Sequence, residues 1–148
     1  MLHPIQAKMR PERVDYCEEK LPYNAFDMFQ EVSKGFPTGA IRSVNGEVIG
    51  FGMLRTHNPR PAFAETADVT YFIKAEHTGK GLGKLLLQFL ETEGRKKGIR
   101  NILANISSLN PGSIDFHLGN GFIECGYFKE VGKKKGRFFD TIWMQKKL

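Results

Sequence analysis

Cysteine is scarce in this chain: Cys17 and Cys125 are its only two. They are far apart and match neither a Cys-x-x-Cys nor a Cys/His ligand spacing. That excludes a disulfide scaffold and a zinc motif, and predicts two free thiols in a reducing, cytoplasmic compartment with no bound metal. Long hydrophobic runs are missing too. None approaches the roughly 18 residues of a membrane span, and the first residues lack the apolar core of a signal peptide. No internal repeat or low-complexity stretch interrupts the 148 residues, 41% of them hydrophobic, so the expectation is one globular domain over 1–148.

Acidic residues are in the minority, and the net charge of +6 requires an explanation. The cations gather in three places: Lys80 and Lys84; Arg95, Lys96, Lys97 and Arg100; and Lys133 to Lys135 with Arg137. The second group falls in the last turn of a helix, where it complements the helix dipole. The third lies between Gly132 and Gly136 and reads as a solvated hairpin tip. Aromatics are not interleaved with the basic residues in an exposed stretch, so no nucleic-acid partner is expected.

The first group accompanies the most informative stretch, Asp68 to Lys84. It reads as a strand ending in a Gly-rich turn that opens a helix. Gly79, Gly81 and Gly83 alternate, removing the Cβ atoms that would keep an anion from the backbone. The amides that follow belong to a first helical turn, where no intrahelical acceptor exists and the dipole is positive. Gly79, Lys80, Gly81, Leu82, Gly83 and Lys84 thus form a cradle suited to a pyrophosphate. The spacing matches neither a P-loop nor a dinucleotide fingerprint. On its own the run is a weak signal, since a tight strand-to-helix connection can carry the same glycines.

Along the chain, residues 1–23 carry no clean periodicity, with a short strand expected at Ile5 to Met9 and a helical turn or two over Pro11 to Lys20. Asn24 caps a short helix over Ala25 to Ser33, stopped by Gly35. Asn45-Gly46 between Thr38 to Val44 and Glu47 to Arg55 predicts an antiparallel hairpin. A loop, Thr56 to Ala64, leads to a strand over Glu65 to Ile73. Leu82, Leu85, Leu86, Phe89 and Leu90 recur at helical spacing, giving an amphipathic helix to Lys97, ended by Gly98. Ile99 to Ile106 reads as a buried strand. Strand, crossover helix and strand make a right-handed parallel unit. A short helix from Asn110 to Leu118 and a hairpin of Phe122 to Val131 with Arg137 to Gln145 complete the chain.

The order of elements, the Gly79 to Gly83 turn and the segment Asn110 to Phe122 resemble the GNAT superfamily of acetyl-CoA-dependent N-acetyltransferases. Within it, Val131 to Gln145, with its Gly-Arg-aromatic-x-Asp pattern, is similar to the phosphinothricin and methionine sulfoximine N-acetyltransferases. The resemblance covers about Thr38 to Gln145. It implies a mixed α/β fold, a central, mostly antiparallel sheet with one parallel strand pair and flanking helices. It also implies acetyl-CoA as co-substrate, lying between the parallel strands, and a homodimer. Tyr71, Phe72 and Ile73 would hold the pantetheine arm by their backbone, and Gly79 to Lys84 the pyrophosphate. Asn110 matches an Asn that contacts the cofactor; it is equally an N-cap. Thr78 stands where the superfamily usually has Arg or Gln, which removes a long polar side chain but no amide donor. Residues 1–37 are shorter than the strand and two helices that normally precede the first hairpin and wall the acceptor site.

Acetylation needs a neutral amine, so a group must take the ammonium proton, and a strand amide near Phe72 could serve the oxyanion. Asp68 occupies the position of a Glu proposed as base in the resembling group; otherwise it begins a strand and faces solvent. Glu65, in the same strand, is the reserve. His117 stands where the phosphinothricin group tends to have His and many superfamily members a Tyr that protonates the leaving thiolate; otherwise it is a satisfied structural histidine. Its reference pKa of about 6.5 suits either direction of proton transfer. His57 and His77 read as surface histidines. Arg60, in a Pro-flanked loop, is the candidate to pair with a substrate carboxylate, since guanidinium and carboxylate match bidentately. The activity implied is acetyl transfer to the primary amine of a small, amino-acid-like molecule. The alternatives are a protein or peptide amine, or a non-catalytic acyl-CoA-binding module.

Overall fold

A computed structural model describes residues 2–3, 15–16, 19–20, 34–79 and 81–148. The expected strand at Ile5 to Met9 and helix at Ala25 to Ser33 lie outside these residues, as does Lys80. The chain forms two compact units, Met1–Thr56 with Val69–Gly98, and His57–Asp68 with Ile99–Leu148.

In the first unit, β1 (Leu2–His3) pairs antiparallel with β4 (Thr38–Arg42), which pairs antiparallel with β5 (Val48–Thr56). The small strands β2 (Asp15–Tyr16) and β3 (Glu19–Lys20) pair with each other. Antiparallel pairing of Asp15 with Lys20 and of Tyr16 with Glu19 replaces the helical turn expected at those four residues; the rest of Pro11 to Lys20 lies outside the described residues.

The β4–β5 hairpin closes through Ser43, whose carbonyl accepts the Gly46 N–H at 2.9 Å and whose N–H donates to Glu47 at 2.8 Å. Gly46 has φ +82°, the left-handed conformation for which its missing Cβ suits it. The second half of β6 (Thr66–Ile73) continues this unit: the Lys74 N–H donates to the Ile49 carbonyl at 2.9 Å, and Arg55 Nε donates to Thr70 Oγ1 at 3.0 Å.

Helix α1 (Leu82–Lys96) covers β4 and β5. Its buried arc is Leu86, Leu87, Leu90, Glu91 and Gly94, positions that recur along one side of a 3.6-residue helix. Leu85, expected to face the core, is 47% exposed, and Leu87 takes its place. Close approach explains the seating. A methyl built at Gly39 would fall 2.7 Å from the Phe89 ring, and one at Gly52 would fall 3.0 Å from Leu86 Cγ. On a neighbouring cluster, Phe51 stacks on Phe72 at 4.9 Å beside Ala40 and Met53.

In the second unit, the first half of β6 runs parallel to β7 (Asn101–Ser107), with Thr66, Ala67 and Asp68 opposite Asn101, Ile102 and Leu103. This is the parallel pair expected for a strand–helix–strand crossover. β7 pairs antiparallel with β9 (Arg137–Lys147), and β9 with β8 (Ile123–Lys134). Both last strands outrun the expected hairpin, so Lys133 and Lys134 lie in β8 and only Lys135 and Gly136 form the tip. Their φ values, +49° and +76°, fit the tight turn that matches strand twist.

A bulge in β8 places Lys129, Glu130 and Val131 opposite Asp140. Asp140 pins it: Oδ1 accepts the Glu130 N–H at 2.7 Å and Oδ2 the Tyr127 hydroxyl at 2.6 Å. These bonds hold Glu130 at φ +53° and hold the Asp140 carboxyl below its ordinary range, so the Asp of the Gly-Arg-aromatic-x-Asp pattern is a strand clamp. Among the described residues, no helix is long and apolar enough to cross a membrane.

Candidate functional site

The Gly-rich turn keeps the geometry its sequence requires. After a 3-10 turn at Ala75–His77, Gly79 and Gly81 take φ +76° and +78°, and Gly81 caps α1 in the left-handed region. A Cβ at either glycine would meet nothing within 4 Å, so the space before the turn is open to an anion. The Leu82, Gly83 and Lys84 amides sit in the helix's first turn, which has no intrahelical acceptor for them. The turn thus fits a pyrophosphate. Tyr71, Phe72 and Ile73 lie on β6 ahead of it. Burial, reinforced by the charge of Glu91, raises the Tyr71 phenol far above its ordinary range, so its hydroxyl stays protonated.

Asp68 does not face solvent. It is 6% exposed, and Oδ1 lies 2.8 Å from His57 Nδ1. An ionised carboxylate can only accept, so Nδ1 carries the hydrogen and Nε2 the lone pair. His57 is exposed, as expected, but its ring is held by Asp68. Its ring meets Trp143 edge to face at 6.1 Å and Phe63 at 6.4 Å, and its side chain keeps 30% of its surface exposed. Sequence reasoning missed this pair, which joins residues 11 apart on either side of the 3-10 turn Pro61–Phe63. The reserve residue Glu65 is exposed, and its carbonyl accepts the N–H groups of Arg100 and Asn101. Arg60 is exposed in the same loop, its backbone N–H held by Asn58 Oδ1 at 3.0 Å.

His117 lies on α2 (Pro111–Gly119), whose N-cap Asn110 accepts the Ser113 N–H through Oδ1 at 3.2 Å. The capping role of Asn110 is thus present, as expected for a residue ahead of Pro at N1. His117 is 2% exposed, with its ring against Phe116 at 5.3 Å and Phe122 at 4.9 Å. Nδ1 donates to the Ser113 carbonyl at 2.6 Å, which places the neutral ring's lone pair on Nε2, an acceptor. Burial lowers its pKa from the ordinary 6.5, against a smaller upward pull from that hydrogen bond.

The folded chain therefore binds this proton less readily than the unfolded one. The resulting stability is complete above about pH 6.5 and is lost as pH falls from there towards the folded-state pKa. Tm should fall across that window, and His117→Gln should flatten this part of the curve. A fall of the same size in the variant would assign the effect to other groups.

The part-buried His57–Asp68 pair of one unit and the glycine-lined helix start of the other are carried on a mixed α/β fold with one parallel strand pair. The acetyltransferase (GNAT) family matches residues 3–122, and the chain belongs to it. It is 34% identical over 112 residues to the L-methionine sulfoximine/L-methionine sulfone acetyltransferase of Pseudomonas paraeruginosa, covering 76% of this chain and 65% of that one. The chain thus spans just under two thirds of that relative's length.

Among solved structures, it is similar to the ribosomal-protein-alanine N-acetyltransferase of Brucella melitensis, with 30% identity and TM-score 0.78 over 88% of this chain and 82% of that one. It also resembles a phosphinothricin acetyltransferase of Sinorhizobium meliloti in complex with AcCoA. That likeness has 25% identity and TM-score 0.85, over 100% of this chain and 88% of the other. Among the described residues, no three His, Cys, Asp or Glu side chains gather as a metal site.

Proposed function

We propose that this chain transfers an acetyl group from acetyl-CoA to the primary amine of a small, amino-acid-like molecule in the cytoplasm. The observation that carries this reading is the turn in which Gly79 and Gly81, both left-handed and open in front, start α1. The relatives' names point to the same chemistry, and one solved relative holds AcCoA.

Bound acetyl-CoA supplies an acyl carbon activated as a thioester. The chain's own groups do the rest. The amides of Leu82, Gly83 and Lys84 bind the diphosphate, with the Lys84 charge beside them. Lys80 is part of the same proposed cradle. The β6 backbone at Tyr71, Phe72 and Ile73 orients the pantetheine arm, and Asn110 approaches it from α2. Asp68 anchors the site that takes the amine's proton. Arg60, exposed in its loop, pairs with the substrate carboxylate. In the reading carried by resemblance, His117 exchanges a proton with the departing sulfur. A neutral His117 presents an acceptor at Nε2, so donation there requires the imidazolium that burial opposes.

A second reading, acetylation of a protein or peptide amine, is favoured by the 30% identity to the Brucella enzyme. Release of free thiol from acetyl-CoA, measured with amino acids, methionine sulfoximine, polyamines and an Ala-initiated peptide, separates the two. Turnover with an amino acid or sulfoximine is the expected result. Turnover with the peptide alone favours the second reading. Acetyl-CoA binding without turnover on any amine would leave a non-catalytic binding module.

A further inference from the structure

We infer that His57, and not the Asp68 carboxylate, is the group that receives the proton of the acceptor amine, with Asp68 as its positioning residue. This rests on the acetyl-transfer reading above and assigns the base within that site. Asp68 is 6% exposed, and its Oδ1 is engaged by His57 Nδ1 at 2.8 Å. A carboxylate so enclosed is poorly placed to meet a solvated ammonium, whereas the His57 side chain retains 30% of its surface.

The hydrogen bond decides which nitrogen is basic. With Nδ1–H donated to Asp68, Nε2 holds the lone pair, and once Nε2 is protonated the imidazolium faces a carboxylate that stabilises it. The ring's orientation is set by three elements: Phe63 from the 3-10 turn, Trp143 from β9 and Asp68 from β6. Among the described residues, Asp68 is the charged group in contact with it. The two aromatic faces limit rotation that would break the Nδ1 bond and exchange the nitrogens.

In the step this implies, the ammonium R–NH3+ gives one proton to Nε2, and the freed nitrogen lone pair forms the N–C bond to the acetyl carbon. The C–S bond breaks, and its electron pair leaves on sulfur. The second nitrogen proton ends on that sulfur, and the Nε2 proton passes to solvent. One ammonium and one thioester give one amide, one thiol and one proton.

The first test needs neither cofactor nor substrate. Long-range 15N–1H spectra of the full chain should show His57 as the Nδ1–H tautomer, and Asp68→Asn should shift it towards Nε2–H, because an Asn amide can donate to Nδ1. The second is kinetic. His57→Ala should lower kcat by about 100- to 1000-fold, with calorimetric acetyl-CoA affinity unchanged and added imidazole restoring part of the rate. In Asp68→Asn, kcat falls together with the tautomer shift, while calorimetric acetyl-CoA affinity is unchanged. An Nε2–H tautomer in the unaltered protein, or wild-type kcat in His57→Ala, overturns this assignment and leaves acetyl transfer standing. No acetylation of any amine by the unaltered protein overturns both.

Discussion

Gly81→Val weakens acetyl-CoA binding by about 10- to 100-fold. Gly81 sits at φ +78°, where an L-residue with a Cβ costs roughly 1–2 kcal/mol. A branched side chain stands at the upper end or beyond. Nothing lies within 4 Å of where the Cβ would go, so the effect is conformational and not a clash with protein. The mutant backbone leaves the left-handed region, the cradle-competent fraction falls, and apparent affinity falls with it. The rest of the loss comes from the valine methyls standing where the diphosphate would approach the helix amides.

Gly98→Val is the matched control. It also replaces a left-handed glycine, at φ +85°, with open space around its Cβ, but it stands past the other end of α1. It should lower Tm comparably while leaving the calorimetric Kd in place. Equal Kd values for Gly81→Val and the unaltered protein would remove the turn from the binding site. Lys84→Ala should cost only a few-fold, and that loss should shrink as salt rises, because an exposed cation acts through a screened field.

Much of this architecture is legible in the sequence because local chemistry dictates it. Asn45-Gly46 announces a reversal, though Asn45 keeps a negative φ and the turn is built from Ser43 to Gly46. Gly79 and Gly81 announce a left-handed entry into α1, and Gly98 its end. Asn110 before Pro111 announces a capped helix, and the Asn110 side chain makes that bond.

What is illegible depends on register. Arg55 on β5 meets Thr70 on β6, and His57, just past the end of β5, meets Asp68. The numbers 55 and 70 have the same sum as 57 and 68, so an antiparallel register fixed at one pair yields the other, but nothing local fixes it. Leu85 and Leu87 differ for a related reason. Both fit an apolar stripe, and the choice between them is made by where Gly39 and Gly52 let the helix settle. The β8 bulge is likewise a property of two strands: Asp140 can clamp Glu130 only after β8 and β9 pair.

Leu86→Ala should produce the largest loss of stability. The side chain is 0% exposed, and deleting a buried leucine to alanine costs about 2–5 kcal/mol depending on how far the site can collapse. Collapse is poor here. Leu86 seats over Gly52, which has no side chain to move inward, and β5 is held by β4 through five paired positions. The cost therefore belongs in the upper half of that range, a fall in Tm of roughly 7–20 °C at the 2–4 °C per kcal/mol of a domain this size.

The same substitution links packing to function, since α1 carries the proposed diphosphate cradle at its first turn. A ligand that binds only the folded chain returns stability by mass action, about 2.7 kcal/mol at one hundred times its Kd. Acetyl-CoA at that excess should recover about half to three quarters of the lost Tm in Leu86→Ala, and much less in a Leu86→Ala, Gly81→Val double variant at the same ligand concentration. Equal recovery in both would mean that the ligand stabilises the chain from somewhere other than the start of α1.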